Sequence, residues 1–198
     1  MSNLFYKLEI EAFRKGLTLR TRESREWFRK KSAQLGKSVS RINRNELMNE
    51  DPIKKVSQPM PGDMYMFYYD PKHKDTLPYY DRFPLVIMVE KAEGGFYGLN
   101  LHYLPPLLRA KFLDALLEVI NNRLYDDTTR FRLSYQILKS AGKMKYFKPC
   151  FKHYLTEHVQ SRFAKVEAPE WEIATFLPTA QFEKASKSKI YADSRRKF

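Results

Sequence analysis

Residues 79–88 read YYDRFPLVIM, an apolar run entered through a proline. Pro84 has no backbone N–H and holds Phe83 extended, so a strand opens here and reaches about residue 90. Upstream, GDMYMFYYDP at residues 62–71 carries a second strand, near 62–69, in which Met64, Met66 and Tyr68 alternate with Tyr65, Phe67 and Tyr69. Both of its faces are apolar, so it needs cover on both sides. Downstream, Glu93-Gly94-Gly95 turns the chain into a third strand near 95–101, where Gly98 marks a bulge or a close backbone approach. Two further runs, near 158–166 and 171–177 (WEIATFL), bring the expected strands to five. The expected fold class is α+β: a small SH3-like β-barrel with a helical insertion and a helical, basic N-terminal arm.

Helical spacing surrounds these strands. Leu4, Phe5, Leu8, Ala12 and Phe13 recur at three- and four-residue intervals, and Gly16 is a plausible stop. A second helix is expected from Thr21 to Leu35, with only Trp27, Phe28 and Leu35 on its apolar face. So thin a face barely stabilises a helix, which calls for a partner surface. NEDPIKKVSQPMP, residues 49–61, carries three prolines and reads as a linker. Pro105-Pro106 opens a helix with an apolar stripe from Leu107 to Ile120, and Asp126-Asp127-Thr128 caps another. The expected organisation is an arm and linker over 1–61, a barrel domain over 62–183 with its insertion at 105–157, and a basic C-terminal tail over 184–198.

The 198 residues hold 36 Lys and Arg against 23 Asp and Glu, a formal charge of +13. That imbalance favours polyanion partners, because each neutralised phosphate releases counterions. The charge is uneven: residues 1–61 hold 14 basic and 7 acidic residues, 62–104 hold 4 and 6, and 105–198 hold 18 and 10. The excess lies around the strands rather than on them. With 14 Phe and 13 Tyr, the chain has the apolar bulk for a core. The one cysteine, Cys150, excludes an internal disulfide and fits a reducing compartment. No run approaches the roughly 20 apolar residues of a membrane span, and MSNLFYKLEIEAFRKG lacks a signal-peptide core. A soluble intracellular protein, or one built into a particle assembled in a cell, is expected, with no membrane partner.

The basic residues are the candidate polyanion or partner site. Residues 14–44 hold 11 basic residues and 2 acidic ones: Arg14, Lys15, Arg20, Arg22, Arg25, Arg29, Lys30, Lys31, Lys37, Arg41 and Arg44. Lys143, Lys145 and Lys148 interleave with Tyr146, Phe147 and Phe151, where aromatic rings could stack on bases or pack into the domain. Arg195, Arg196 and Lys197 close the tail. Other chemistry has weaker claims. Cys150, His153 and His158 stand at ligand-like spacing without an evident fourth ligand for zinc. Asp126-Asp127 reads as a helix cap sooner than an acidic dyad. No phosphate loop, dinucleotide fingerprint or nucleophile elbow occurs, so no catalytic residue, metal or cofactor is assigned.

Gly62, Asp63, Arg82 and Pro84 together resemble the MazF/PemK-type barrel, in which a Gly-Asp strand and an R-x-P strand flank a substrate loop. The resemblance covers about 40 residues. It implies ribonuclease activity resting on a loop arginine, here Arg82, and on a Ser or Thr after the third strand. GLNLHYLPP, residues 98–106, offers no such hydroxyl. Arg82 is therefore expected to anchor the loop, pairing with Asp81, Asp70 or Asp75. The segments DPKHKDTLPYYDRFPLV and YADSRRK resemble small basic proteins of contractile-tailed phages. The leading expectation is accordingly a non-enzymatic assembly protein of a phage-like virion (tail, neck or baseplate). It would be assembled in the host cytoplasm into a multi-subunit complex, its basic arms tying other virion proteins together. The alternative is a cytoplasmic protein that binds DNA or RNA, and the third reading is a barrel ribonuclease.

Overall fold

The computed structural model describes residues 4–38, 43–49, 53–141, 143 and 147–196. The fold is α+β. Three helices come first: α1 (Leu4–Arg14), α2 (Arg22–Ser38) and α3 (Arg44–Met48). The strands β1 (Lys54–Val56), β2 (Met64–Met66), β3 (Tyr80–Asp81), β4 (Leu85–Ala92) and β5 (Gly95–Asn100) follow. Then come α4 (Pro106–Ile120), α5 (Asp127–Ala141), β6 (Phe151–Leu155), β7 (Phe163–Val166), α6 (Trp171–Phe176), β8 (Phe182–Glu183) and α7 (Lys187–Arg196). Six strands form one sheet in the order β1-β7-β2-β4-β5-β6, each neighbouring pair antiparallel, while β3 and β8 pair separately.

The sheet curls around its own aromatic side chains. Phe163 on β7 and Phe96 on β5 have ring centroids 5.7 Å apart, although β2 and β4 lie between those strands. In a flat sheet three strand spacings would separate them by about 14 Å. Phe67, just past β2, meets Phe96, Tyr154 and Phe163 edge-on, and Tyr65, Tyr69, Val86 and Met88 complete the buried part of this inner cluster. Curling brings residues from β2, β4, β5, β6 and β7 together without a helix. The expected SH3-like barrel nevertheless does not close, since β1 and β6 are sheet edges that do not pair with each other among the described residues.

Alternation sends the other residues of the same strands to the outer face. Met64, Met66, Leu85, Ile87, Val89 and Leu99 join there one buried cluster with residues of α1, α4, α5 and α6. The double-faced apolar pattern of residues 64–69 thus has its cover on both sides, one aromatic and one helical. Two glycines in β5 permit close strand packing. A methyl group on Gly98 would run into the Val86 side chain, and one on Gly95 into the Tyr154 carbonyl.

Several expectations are corrected. Residues 171–177 are not a strand: Trp171–Phe176 form a helix whose every residue is buried. A short run that is apolar all round fits either element, and here the Ala168–Glu170 turn leads into a helix packed against α1, α2 and α4. The insertion 105–157 is not wholly helical, because Phe151–Leu155 are the edge strand β6. The C-terminal tail is helix α7, with Ile190 and Ser194 buried. The described part of residues 1–61 is not an arm outside the core. Phe5, Leu8 and Ala12 of α1, Phe28 of α2 and Leu47 and Met48 of α3 are buried in the same cluster as Leu85 and Leu99.

A chain beginning at Pro61 is therefore expected to lack a cooperative thermal transition, which calorimetry checks. Leu99 is fully buried opposite Ile87. Leu99→Ala should cost about 2–5 kcal/mol in chemical denaturation.

Candidate nucleic-acid interface

The cations of residues 14–44 divide by the face of α2 on which they fall. Ser24, Arg25, Phe28 and Ser32 recur at three- and four-residue spacing and are buried. This face is polar, and specific bonds dock it. The Ser24 hydroxyl donates to Glu172 of α6 at 2.6 Å. Arg25 pairs with Asp114 of α4 and donates to the Arg20 carbonyl at 2.9 Å. The partner surface that so thin an apolar stripe called for is thus α4 and α6 of the same chain. Lys31 pairs with Glu11 of α1. Arg44 donates to the carbonyls of Thr179 (2.8 Å) and Ala180 (3.2 Å), with its guanidinium 5.9 Å from the Phe83 ring centroid. Arg20 reaches Asn121 at 3.4 Å.

What remains outward is Arg14, Lys15, Arg22 and Lys30, all exposed, with Arg29 half-buried beside them. Arg22 has a loose surface pair with Glu26 at 3.6 Å, which is worth little in water. Lys143 and Lys148 are exposed near β6. The side chains of Lys37, Arg195 and Arg196, and residues Arg41, Lys145 and Lys197, lie outside the described residues. The aromatics around Lys148 face the domain: Phe147 packs on Phe112 and Phe151 stacks on Tyr97. Tyr146 lies outside the described residues.

A cleft of about 350 Å³ opens between β6, β3 and the loop of residues 70–79. Its walls are tyrosines (Tyr69, Tyr79, Tyr80, Tyr103 and Tyr154), and Lys72, His73, Lys152 and His153 also line it. The Lys152 ammonium sits 4.4 Å from the centre of the Tyr103 ring. Backbone turns at Pro71 and His73 fold the loop, and Asp70 ties down Lys74 at 2.9 Å. Lys184 donates to the loop carbonyls of Lys74, Asp75 and Leu77, bracing it from the C-terminal side. Composition did not reveal this cleft. Its sequence trace was PKHK followed by a tyrosine pair, residues 71–74 and 79–80.

Behind the cleft lies a buried polar network. Asp81 Oδ1 accepts the N–H groups of Phe83 (3.1 Å) and Gln181 (3.0 Å). Its Oδ2 accepts from Asn100 (3.2 Å) and from His102 Nδ1 (2.6 Å). His102 Nε2 then takes the Thr179 hydroxyl at 3.1 Å. Burial alone would raise Asp81, but His102 and these hydrogen bonds hold it below the ordinary 3.8. Burial lowers His102 below 6.5 against the pull of Asp81. The chain Asp81–His102–Thr179 has the order of a nucleophile triad, but all three residues are buried.

Arg82 itself is half exposed and pairs with Glu183 at 3.7 Å. That pair is not with the expected Asp70, Asp75 or Asp81. Asp70 holds Lys74, and Asp81 faces inward. Cys150 is buried, its thiol pushed up to about 12 by desolvation. His153 packs on Tyr97, and His158 Nδ1 meets the Asp70 carbonyl at 3.0 Å. Asp126 caps α5 by accepting the Thr129 N–H at 2.7 Å.

Comparison with known protein families matches residues 7–196 to the phage T4 terminal DNA protecting protein family. The chain belongs to that family. The match runs from within α1 to the end of α7, and it makes this a phage-related protein. No curated protein and no solved structure matches it. The family's description concerns DNA rather than a tail, neck or baseplate, so membership favours the nucleic-acid reading over the assembly reading.

Both Asp81 and His102 titrate below their ordinary values when folded, so protons bind the unfolded chain first. Stability is then fully present above about pH 7 and falls as pH drops, first through His102 below about 6.5 and further through Asp81 below about 4. His102→Gln should flatten the upper part of a melting-temperature profile against pH. Asp81→Ala strands four donors and should cost about 3–5 kcal/mol.

Proposed function

We propose that this phage-related protein binds linear DNA at its ends and shields them from degradation. Membership of the terminal DNA protecting family over residues 7–196 carries the reading. The charge of +13 and the outward set Arg14, Lys15, Arg22, Arg29 and Lys30 support it, because cations free of buried partners can exchange counterions for phosphates. Lys143, also exposed, extends the same capacity. Arg25, Lys31 and Arg44 hold the fold together and act on DNA only through it.

The test compares linear and covalently closed circular DNA of one sequence. The full chain should bind the linear form more tightly, and the bound linear form should resist a purified exonuclease. The logarithm of affinity should fall steeply with the logarithm of salt concentration. Replacing Lys15 or Lys30 by alanine should reduce that slope by roughly 1 each without changing the melting temperature. Equal affinity for both forms together with no protection would refute end-binding.

A further inference from the structure

The cleft between β6, β3 and the 70–79 loop is a built recess that neither the family description nor the charge pattern assigns. Three observations bear on its occupant. Its volume, about 350 Å³, is at the small end of ligand clefts, which run from about 300 to 1,000 Å³. Its walls are aromatic, with Tyr79 and Tyr103 6.1 Å apart and tilted by 37° and Tyr80 half-buried on β3. Lys72 and His73 are exposed on its loop, and Lys152 lines the β6 wall. The one acid lining the cleft, Asp81, has both oxygens committed to Phe83, Gln181, Asn100 and His102. The recess therefore presents π surface and the cationic side chains of Lys72 and Lys152, while its one lining carboxylate, Asp81, is held inward by its four donors.

We infer that this cleft receives the terminal nucleotide of a DNA end, its base against the tyrosines and its phosphate against Lys72, His73 and Lys152. The inference rests on the end-binding reading above and specifies where the end is held. Every base offers a π face to an aromatic wall, so the contact tolerates any terminal sequence. A cation over a tyrosine ring, as Lys152 is over Tyr103, can take a phosphate without losing its ring contact. The Lys184 brace keeps the loop in place before the nucleotide arrives, so little ordering remains to oppose binding. A packed duplex interior cannot enter a recess this small. A frayed or unpaired last nucleotide can.

The experiment uses the full chain and a short duplex carrying 2-aminopurine either at its terminal position or in its interior. Stacking on the tyrosines should quench the terminal probe severalfold and leave the interior probe unchanged. Tyr80→Leu keeps an apolar residue on β3 and should abolish the terminal quench. Lys72→Ala with His73→Ala alters only exposed side chains, so folding is retained. It should weaken end binding about tenfold while leaving affinity for closed circular DNA unchanged. If ends are bound and protected but the terminal probe is not quenched, or the quench survives both variants, the cleft assignment is overturned and end-binding stands. If the protein shows no preference for ends, both fall.

Discussion

Asp81 is the constraint on which the rest of the structure depends. A carboxylate at full burial is tolerated only with its lone pairs satisfied, and Asp81 satisfies them from four separate places in the chain. Phe83 fixes the entry to β4, Asn100 the end of β5, His102 the turn before α4, and Gln181 the segment before β8. Arg109 provides the matching buried cation. Its guanidinium donates to the carbonyls of Leu104, Thr175 and His102 and to the Tyr191 hydroxyl on α7. Sheet, α4, α6 and α7 are thus held in one arrangement by two charges that water does not reach.

The same network sets the back wall of the cleft. Asn100 also donates to the Tyr154 hydroxyl at 3.1 Å, linking the carboxylate to the aromatic cluster inside the curled sheet. Curl and cleft are therefore one feature seen from two sides. The sheet bends because bulky rings on its inner face pack edge to face, and bending leaves β6 facing the 70–79 loop across an open space. The open edge is where a closed barrel would have had its last seam.

Charge in this protein does two jobs that composition merges. Arg25, Lys31 and Arg44 are as basic as Arg14 and Lys30, yet the first three are committed to Asp114, Glu11 and the 179–180 carbonyls. Only geometry separates structural cations from those that can meet a polyanion. The excess of positive charge is real at the surface, but fewer residues carry it there than a count of residues 14–44 implies.

The sequence by itself located the strands expected near 62–69, 84–90 and 95–101, which form over Met64–Met66, Leu85–Ala92 and Gly95–Asn100, with the proline entries at 84 and 106, the cap at Asp126 and the close approach at Gly98. Each of these is a local preference of backbone or side chain, legible within a few residues. It also determined the basic character that points to a polyanion. Three outcomes belonged to tertiary structure alone. WEIATFL became a helix because its surroundings bury it on all sides, which leaves periodicity nothing to report. Helix α2 joined the core because Ser24 and Arg25 found partners about 150 and 90 residues away, beyond the reach of any apolar count. The cleft arose because Asp81, His102 and Tyr154 are brought together by pairing between distant strands, and no window of sequence contains all three.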